Sequence, residues 1–186
     1  MPGIVERGEK SPRRSFSGGG QGRDEREIPR EGRGDLFADG KAARVKHARE
    51  ALAIDPEAID AYVILALSTE SLGEQIALLR EAVRIGKAHW SEAIRRPSQH
   101  DFWLDIKTRP FTRAVHNLAL TLWERGEQDE AARLADFLLK LNPNDNQGIR
   151  FLARDWHEAL GNRAAVERLL KRYGNETRTF VETPAS

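Results

Sequence analysis

Apolar residues recur at helical spacing along most of this chain, and the breaks in that recurrence divide it into elements. After Gly40 the stripe Ala42, Val45, Ala48, Ala51, Leu52, Ile54 predicts a helix that stops at Asp55-Pro56. Ala58, Ala61, Tyr62, Leu65, Ala66 and Leu72 predict a second, with Gly73 as its C-cap. A third is expected to begin near Glu74 with Ile76, Leu79, Ala82, Val83 and Ile85. It should run past Gly86 through Ala88, Trp90, Ala93 and Ile94. Pro97 then closes a loop carrying Phe102 and Trp103, and Thr108 opens the next helix with Pro110 in its first turn. Further helices are expected over 108–125, 127–141, 145–160 and 162–173, punctuated by Gly126, Asn142-Pro143 and Gly161. The stretch from Thr177 to Val181 is too short and too β-branched for a helix. About seven helices and no strand make the expected fold all-α.

The last four of these helices repeat a pattern. Leu118 and Leu152, Ala119 and Ala153, and Ala131 and Ala165 each stand 34 residues apart, as do Val115 and Ile149, Leu122 and Trp156, Ala132 and Val166, Ala135 and Leu169. That period belongs to a helix-turn-helix unit. A unit this short cannot bury its apolar face alone, so it must stack on neighbours into a superhelix whose inner groove serves for docking. Binding is expected rather than catalysis, and no enzyme activity is assigned.

Composition narrows the setting. The 186 residues fit one domain. Charged residues make up 32% and hydrophobic ones 39%, which suits a soluble helical protein and not a membrane one. Thirty Lys and Arg against twenty-nine Asp and Glu leave a net charge of +1, so any electrostatic preference must be local. There is no cysteine, which fits a reducing cytoplasm and removes disulfides and thiolate chemistry. The first residues lack an apolar signal segment, and the longest apolar run, Tyr62 to Leu67, is far short of a span, so neither export nor anchoring is expected. Residues 1–38, with Gly18 to Gly20, Pro2, Pro12 and Pro29 and nearly balanced Arg and Glu, read as a disordered tail. The helical domain is expected over 39–175, and 176–186 as a short second tail.

Thr112 to Asp145 resembles the tetratricopeptide pattern: Leu118-Ala119, Leu122, Gly126, Ala131 and Pro143 stand in register with it. Ile149, Leu152-Ala153, Trp156 and Ala165 resemble a second copy. Backwards, Ala51 and Pro56 look like a lone second helix, and Tyr62, Leu65-Ala66 and Ala82 like a further repeat with a shortened turn. Pro56 and Pro143 stand 87 apart where two repeats would stand 68, a surplus of 19. That surplus sits in the long third helix and the Phe102-Trp103 loop. Together with Thr108-Arg-Pro110 and the phrase from Leu141 to Arg150, the chain is similar over residues 40–175 to bacterial tetratricopeptide proteins related to the suppression of tumorigenicity seven family. The resemblance implies a right-handed α-solenoid that acts as a protein-interaction module, with no cofactor.

Mapped on that pattern, the concave wall holds Arg113, His116, Asn117 and Leu120, then Gln147, Arg150, Phe151, Arg154 and His157. Hydrogen-bond donors beside three Arg suit a carboxylate-bearing segment of a protein partner. The competing readings are a solvated Arg-rich face and a nucleic-acid surface formed with the Arg-rich tail. The peptide-carboxylate clamp of chaperone cofactors is disfavoured, since Val63 and Leu67 stand where its first repeat needs Lys and Asn. His47, His89, His100, His116 and His157 show no paired ligand spacing, and no metal site is expected. His100-Asp101 lacks a placed nucleophile and reads as loop packing. Trp156 is expected in the core, while Trp123, one place beyond Leu122, is a candidate to line the groove.

Overall fold

A computed structural model describes residues 30–174, with side chains from Gly40 onward. Among them the backbone forms eight α-helices and no strand. These are α1 (Arg30–Ile54), α2 (Ile59–Ala66), α3 (Leu72–His89), α4 (Ser91–Arg95), α5 (Arg109–Arg125), α6 (Gln128–Leu141), α7 (Ile149–Ala159) and α8 (Arg163–Tyr173). Two 3-10 turns, Pro97–Gln99 and Ile106–Thr108, lie between α4 and α5. Helical backbone begins at Arg30, ahead of the Gly40 where the apolar stripe starts. The expected tails outside 30–174 lie beyond the described residues. No helix of the described chain is long and apolar enough to cross a membrane.

The apolar stripes meet in chain order. α1 packs on α2, α2 on α3, α3 on α5, α5 on α6, α6 on α7 and α7 on α8, and α2 also lies directly against α5. Small residues make the close approaches possible: Ala66, Ala82, Ala114, Ala119, Ala131, Ala135 and Ala153 are fully buried. Around them sit Leu79, Ile85, Phe102, Phe111, Val115, Leu122 and Leu138.

Three boundaries differ from the sequence expectation, each for a local reason. α2 ends at Ala66, and Gly73 lies inside the first turn of α3 instead of capping α2. Ser71 and Glu74 start α3 there: Ser71 Oγ accepts the Glu74 N–H at 3.4 Å, and Thr69 Oγ1 donates to the Glu74 carboxylate at 2.6 Å. A Ser followed three residues later by Glu is the spacing of a capping box. α3 does run through Gly86 but stops at His89. The Trp90 ring swings into a cluster with His100 (5.6 Å) and Phe102 (6.4 Å), and only the short α4 follows. α7 begins at Ile149, four residues after the expected start. Asp145 instead takes a left-handed backbone, φ 49°, and its buried carboxylate accepts the Ile149 N–H at 2.6 Å and the Arg150 N–H at 3.1 Å. It thus satisfies two donors that a helix start leaves open.

Gly86 fixes how α5 seats on α3. A Cβ there would stand 2.2 Å from Phe111 Cδ2 and 2.7 Å from its Cγ, so the ring occupies the space a side chain would need. The loop before α5 is held from within: the buried Thr108 hydroxyl lies 2.5 Å from the Phe102 carbonyl oxygen and 2.8 Å from that of Asp105. Phe102 is buried, and His100 packs edge-on to it at 4.7 Å. Asp101 accepts the N–H groups of Trp103 and Leu104, a loop-forming role for the His100-Asp101 pair.

Candidate partner-binding face

α5 buries Phe111, Ala114, Val115, Leu118, Ala119 and Leu122, which leaves Arg113, His116, Asn117 and Leu120 on its other side. Their spacing of three, four and seven places them on one face. Arg113 Nη1 donates to Asp60 Oδ1 of α2 at 2.6 Å. At the other end of α5, Thr121 Oγ1 lies 3.5 Å from Oε1 of Gln75, in the first turn of α3. α2 and α5 lie directly against each other, with the Asp60–Arg113 pair joining them near the start of each. Leu67 and Leu120 each follow their charged partner by seven residues, close to two helical turns, and so share its face. Both are exposed, 58% and 41%. The α2–α5 pair therefore carries a charged end, Asp60–Arg113, and an apolar end, Leu67 and Leu120.

Asn117 Nδ2 donates back to the Arg113 carbonyl at 2.9 Å, and Thr121 Oγ1 to that of Asn117 at 2.9 Å. His116 is half-buried, and burial holds its pKa below the ordinary histidine value.

The α7 residues form a different surface. Arg150, Phe151 and Arg154 line a recess with Leu169, Leu170, Tyr173 and Gly174 at the end of α8. Arg150 donates to Asp145 Oδ2 at 3.0 Å and lies 4.3 Å over the Phe151 ring. Arg154 donates to Asp155 Oδ1 at 3.1 Å. Gln147 is half-buried in the turn before α7. His157 is not on an open wall: it is buried, with Nε2 3.1 Å from Asp136 Oδ2 of α6 and Nδ1 3.4 Å from Asn162 Nδ2. Asn162 Oδ1 caps α8 by accepting the Ala165 N–H, so its amide N–H donates to Nδ1 and the His157 Nε2–H donates to Asp136. His157 therefore joins α6, α7 and the start of α8. Trp123, the matching position on α5, also turns inward and stacks on Trp156, with centroids 4.6 Å apart and planes at 5°.

Each of the three sequence-selected arginines thus has a carboxylate of its own chain beside it. Their exposure separates them. Arg113 and Asp60 are 53% and 51% exposed, a range in which ion pairs contribute roughly 0–1 kcal/mol. Asp145 is 1% exposed, and removing one member of a buried pair costs about 3–5 kcal/mol. Arg113 can therefore part from Asp60 at little loss, whereas parting Arg150 from Asp145 is costly.

Sequence reasoning missed Asp60, Asp136 and Asp145. For Asp60 a signal existed: Asp60 and Arg113 stand 53 apart, one 34-residue period plus the 19-residue surplus between Pro56 and Pro143. No protein-family model, curated protein or solved structure matches this chain.

Proposed function

We propose that the chain is a cytoplasmic protein-interaction module of tetratricopeptide type. In this reading α2 with α3, α5 with α6 and α7 with α8 are successive helix pairs of a right-handed solenoid, and α1 is the second helix of an incomplete pair. The observation that carries it is the direct contact of α2 with α5, from one pair to the next, pinned by Asp60 and Arg113. Such a contact sets the first helices of two successive pairs, α2 and α5, beside each other. A segment of the partner lies along them, an acidic side chain exchanging with Asp60 for Arg113 and an apolar one covering Leu67 and Leu120. Asn117 and His116 offer hydrogen bonds between those ends.

The test is affinity capture with the full chain and two variants, Arg113→Glu/Leu120→Asp on the wall and Arg133→Glu on an exposed part of α6. Capture of defined partner proteins should fall about tenfold or more in the first and hold in the second. Equal capture by both variants removes the wall as the site. Capture of RNA or DNA instead, lost steeply as salt rises, would favour the nucleic-acid reading.

A further inference from the structure

Three of the cations that form no ion pair among the described residues line one cleft away from the α2–α5 wall. Between α6 and α8 lies a cleft of about 430 Å³, floored by the half-buried Leu169 and Tyr173 over the buried Leu139 and Ala165, and rimmed by Lys140, Arg168 and Arg172. Among the described residues, no carboxylate forms an ion pair with any of these three, in contrast to Arg113, Arg150 and Arg154. Asp136, the acid at the same cleft, is already engaged by His157. Arg168 and Arg172 stand four apart and share a face of α8. All three cations are exposed.

We propose that this cleft is a second docking surface, which takes an acidic amphipathic helical segment of a partner protein. An apolar floor inside a cationic rim selects for a ligand with both characters. A polyanion alone would leave the half-buried Leu169 and Tyr173 without apolar cover, and an apolar peptide would desolvate unpaired cations. Residues 1–29 have no surplus of negative charge, and residues 175–186 a surplus of one, less than the three cations of the rim. Residues 1–29 carry Arg7, Lys10, Arg13, Arg14, Arg23 and Arg26 against Glu6, Glu9, Asp24, Glu25 and Glu27. Residues 175–186 carry Glu176 and Glu182 against Arg178. The surface is built from helices other than α2 and α5, so the proposal stands or falls separately from the wall described above.

The probe is a fluorescein-labelled synthetic helix of about 14 residues, long enough to follow α8. Leu recurs in it at helical spacing, and Glu fills the flanking positions. Its binding to the full chain is read by fluorescence anisotropy at ~0.15 M salt. Micromolar binding is expected, weakened about tenfold or more by Lys140→Glu/Arg168→Glu. The same change of charge on α1, Arg44→Glu/Arg49→Glu, should leave it unaltered. A probe with Lys in place of Glu should bind the Lys140→Glu/Arg168→Glu protein better than the native one. Absence of binding at about 100 µM, equal weakening by the α1 variant, or displacement of the peptide by poly(U) RNA overturns the proposal. So does concentration-dependent self-association that Lys140→Glu/Arg168→Glu abolishes, since a second copy would then fill the cleft.

Discussion

Replacing Gly86 by Ala should destabilise the protein, against the ordinary rule for helices. In an open helix interior this change gains about 1 kcal/mol, because Ala is the better helix former. Here the new Cβ would stand 2.2 Å from Phe111 Cδ2, 2.7 Å from Cγ and 3.0 Å from Cβ. The clash is with the root of the ring, and the ring has nowhere to retreat, since Phe111 is fully buried and edge-on to Phe137 at 6.2 Å. Overpacking of this kind costs about 1–3 kcal/mol, and the severity of the overlap argues for the upper end. The net loss is then about 1–2 kcal/mol. Urea unfolding followed by helical circular dichroism should show a lower midpoint at an unchanged slope. Gly73→Ala, in the same helix with only Ser71 Oγ at 3.8 Å, is the control and should be neutral or stabilising. With Phe111→Ala in the background, Gly86→Ala should lose most of its penalty. If Gly86→Ala raises the midpoint as Gly73→Ala does, α5 is not seated on α3 as described.

Asp145→Ala should lose about 2–4 kcal/mol, because it removes the acceptor for two helix-start N–H groups and for Arg150, and puts Ala in a left-handed backbone. Asp145→Asn should lose less, and chemical denaturation of both variants checks the order. Ala119→Leu and Ala153→Leu, at positions with no exposure, should each lose about 1–3 kcal/mol, while Arg133→Leu stays nearly silent; three equal melting curves would refute the packing register. His116 has its pKa depressed by burial, so the unfolded chain binds its proton more readily. Its contribution is complete above the unfolded value of about 6.5 and is lost as the pH falls through the folded value. His116→Gln should flatten that part of a stability profile, and an unchanged profile would contradict the assignment.

Element existence was legible because it rests on apolar period: each of the seven stripes falls on helix, although the third is divided at Trp90 between α3 and α4 and makes the total eight. Boundaries were less so, because they are set by side chains acting locally. The Ser71–Glu74 cap was present in the sequence but masked by Leu72, which fitted the preceding stripe. The left-handed Asp145 could be read as a cap, yet nothing local says that its carboxylate reaches four residues on. The turn at Trp90 depends on Phe102, twelve residues away. For the candidate face, the residues mapped from the repeat pattern onto α5, Arg113, His116, Asn117 and Leu120, lie together opposite its buried side. The mapping failed on charge, since the partners Asp60 and Asp145 belong to another helix and a turn. It failed on His157 because a position one place past Trp156 can face either way, and only the Asp136 carboxylate decides.

The docking wall is tested most directly by a photo-crosslinking amino acid placed at Leu120, with the same group at Arg133 as reference, in the full chain exposed to cell extract and then irradiated. The proposed function predicts discrete protein adducts from position 120, reduced by Arg113→Glu in the same chain, and none of those adducts from position 133. The same adducts from both positions, or adducts only with nucleic acid, would contradict it.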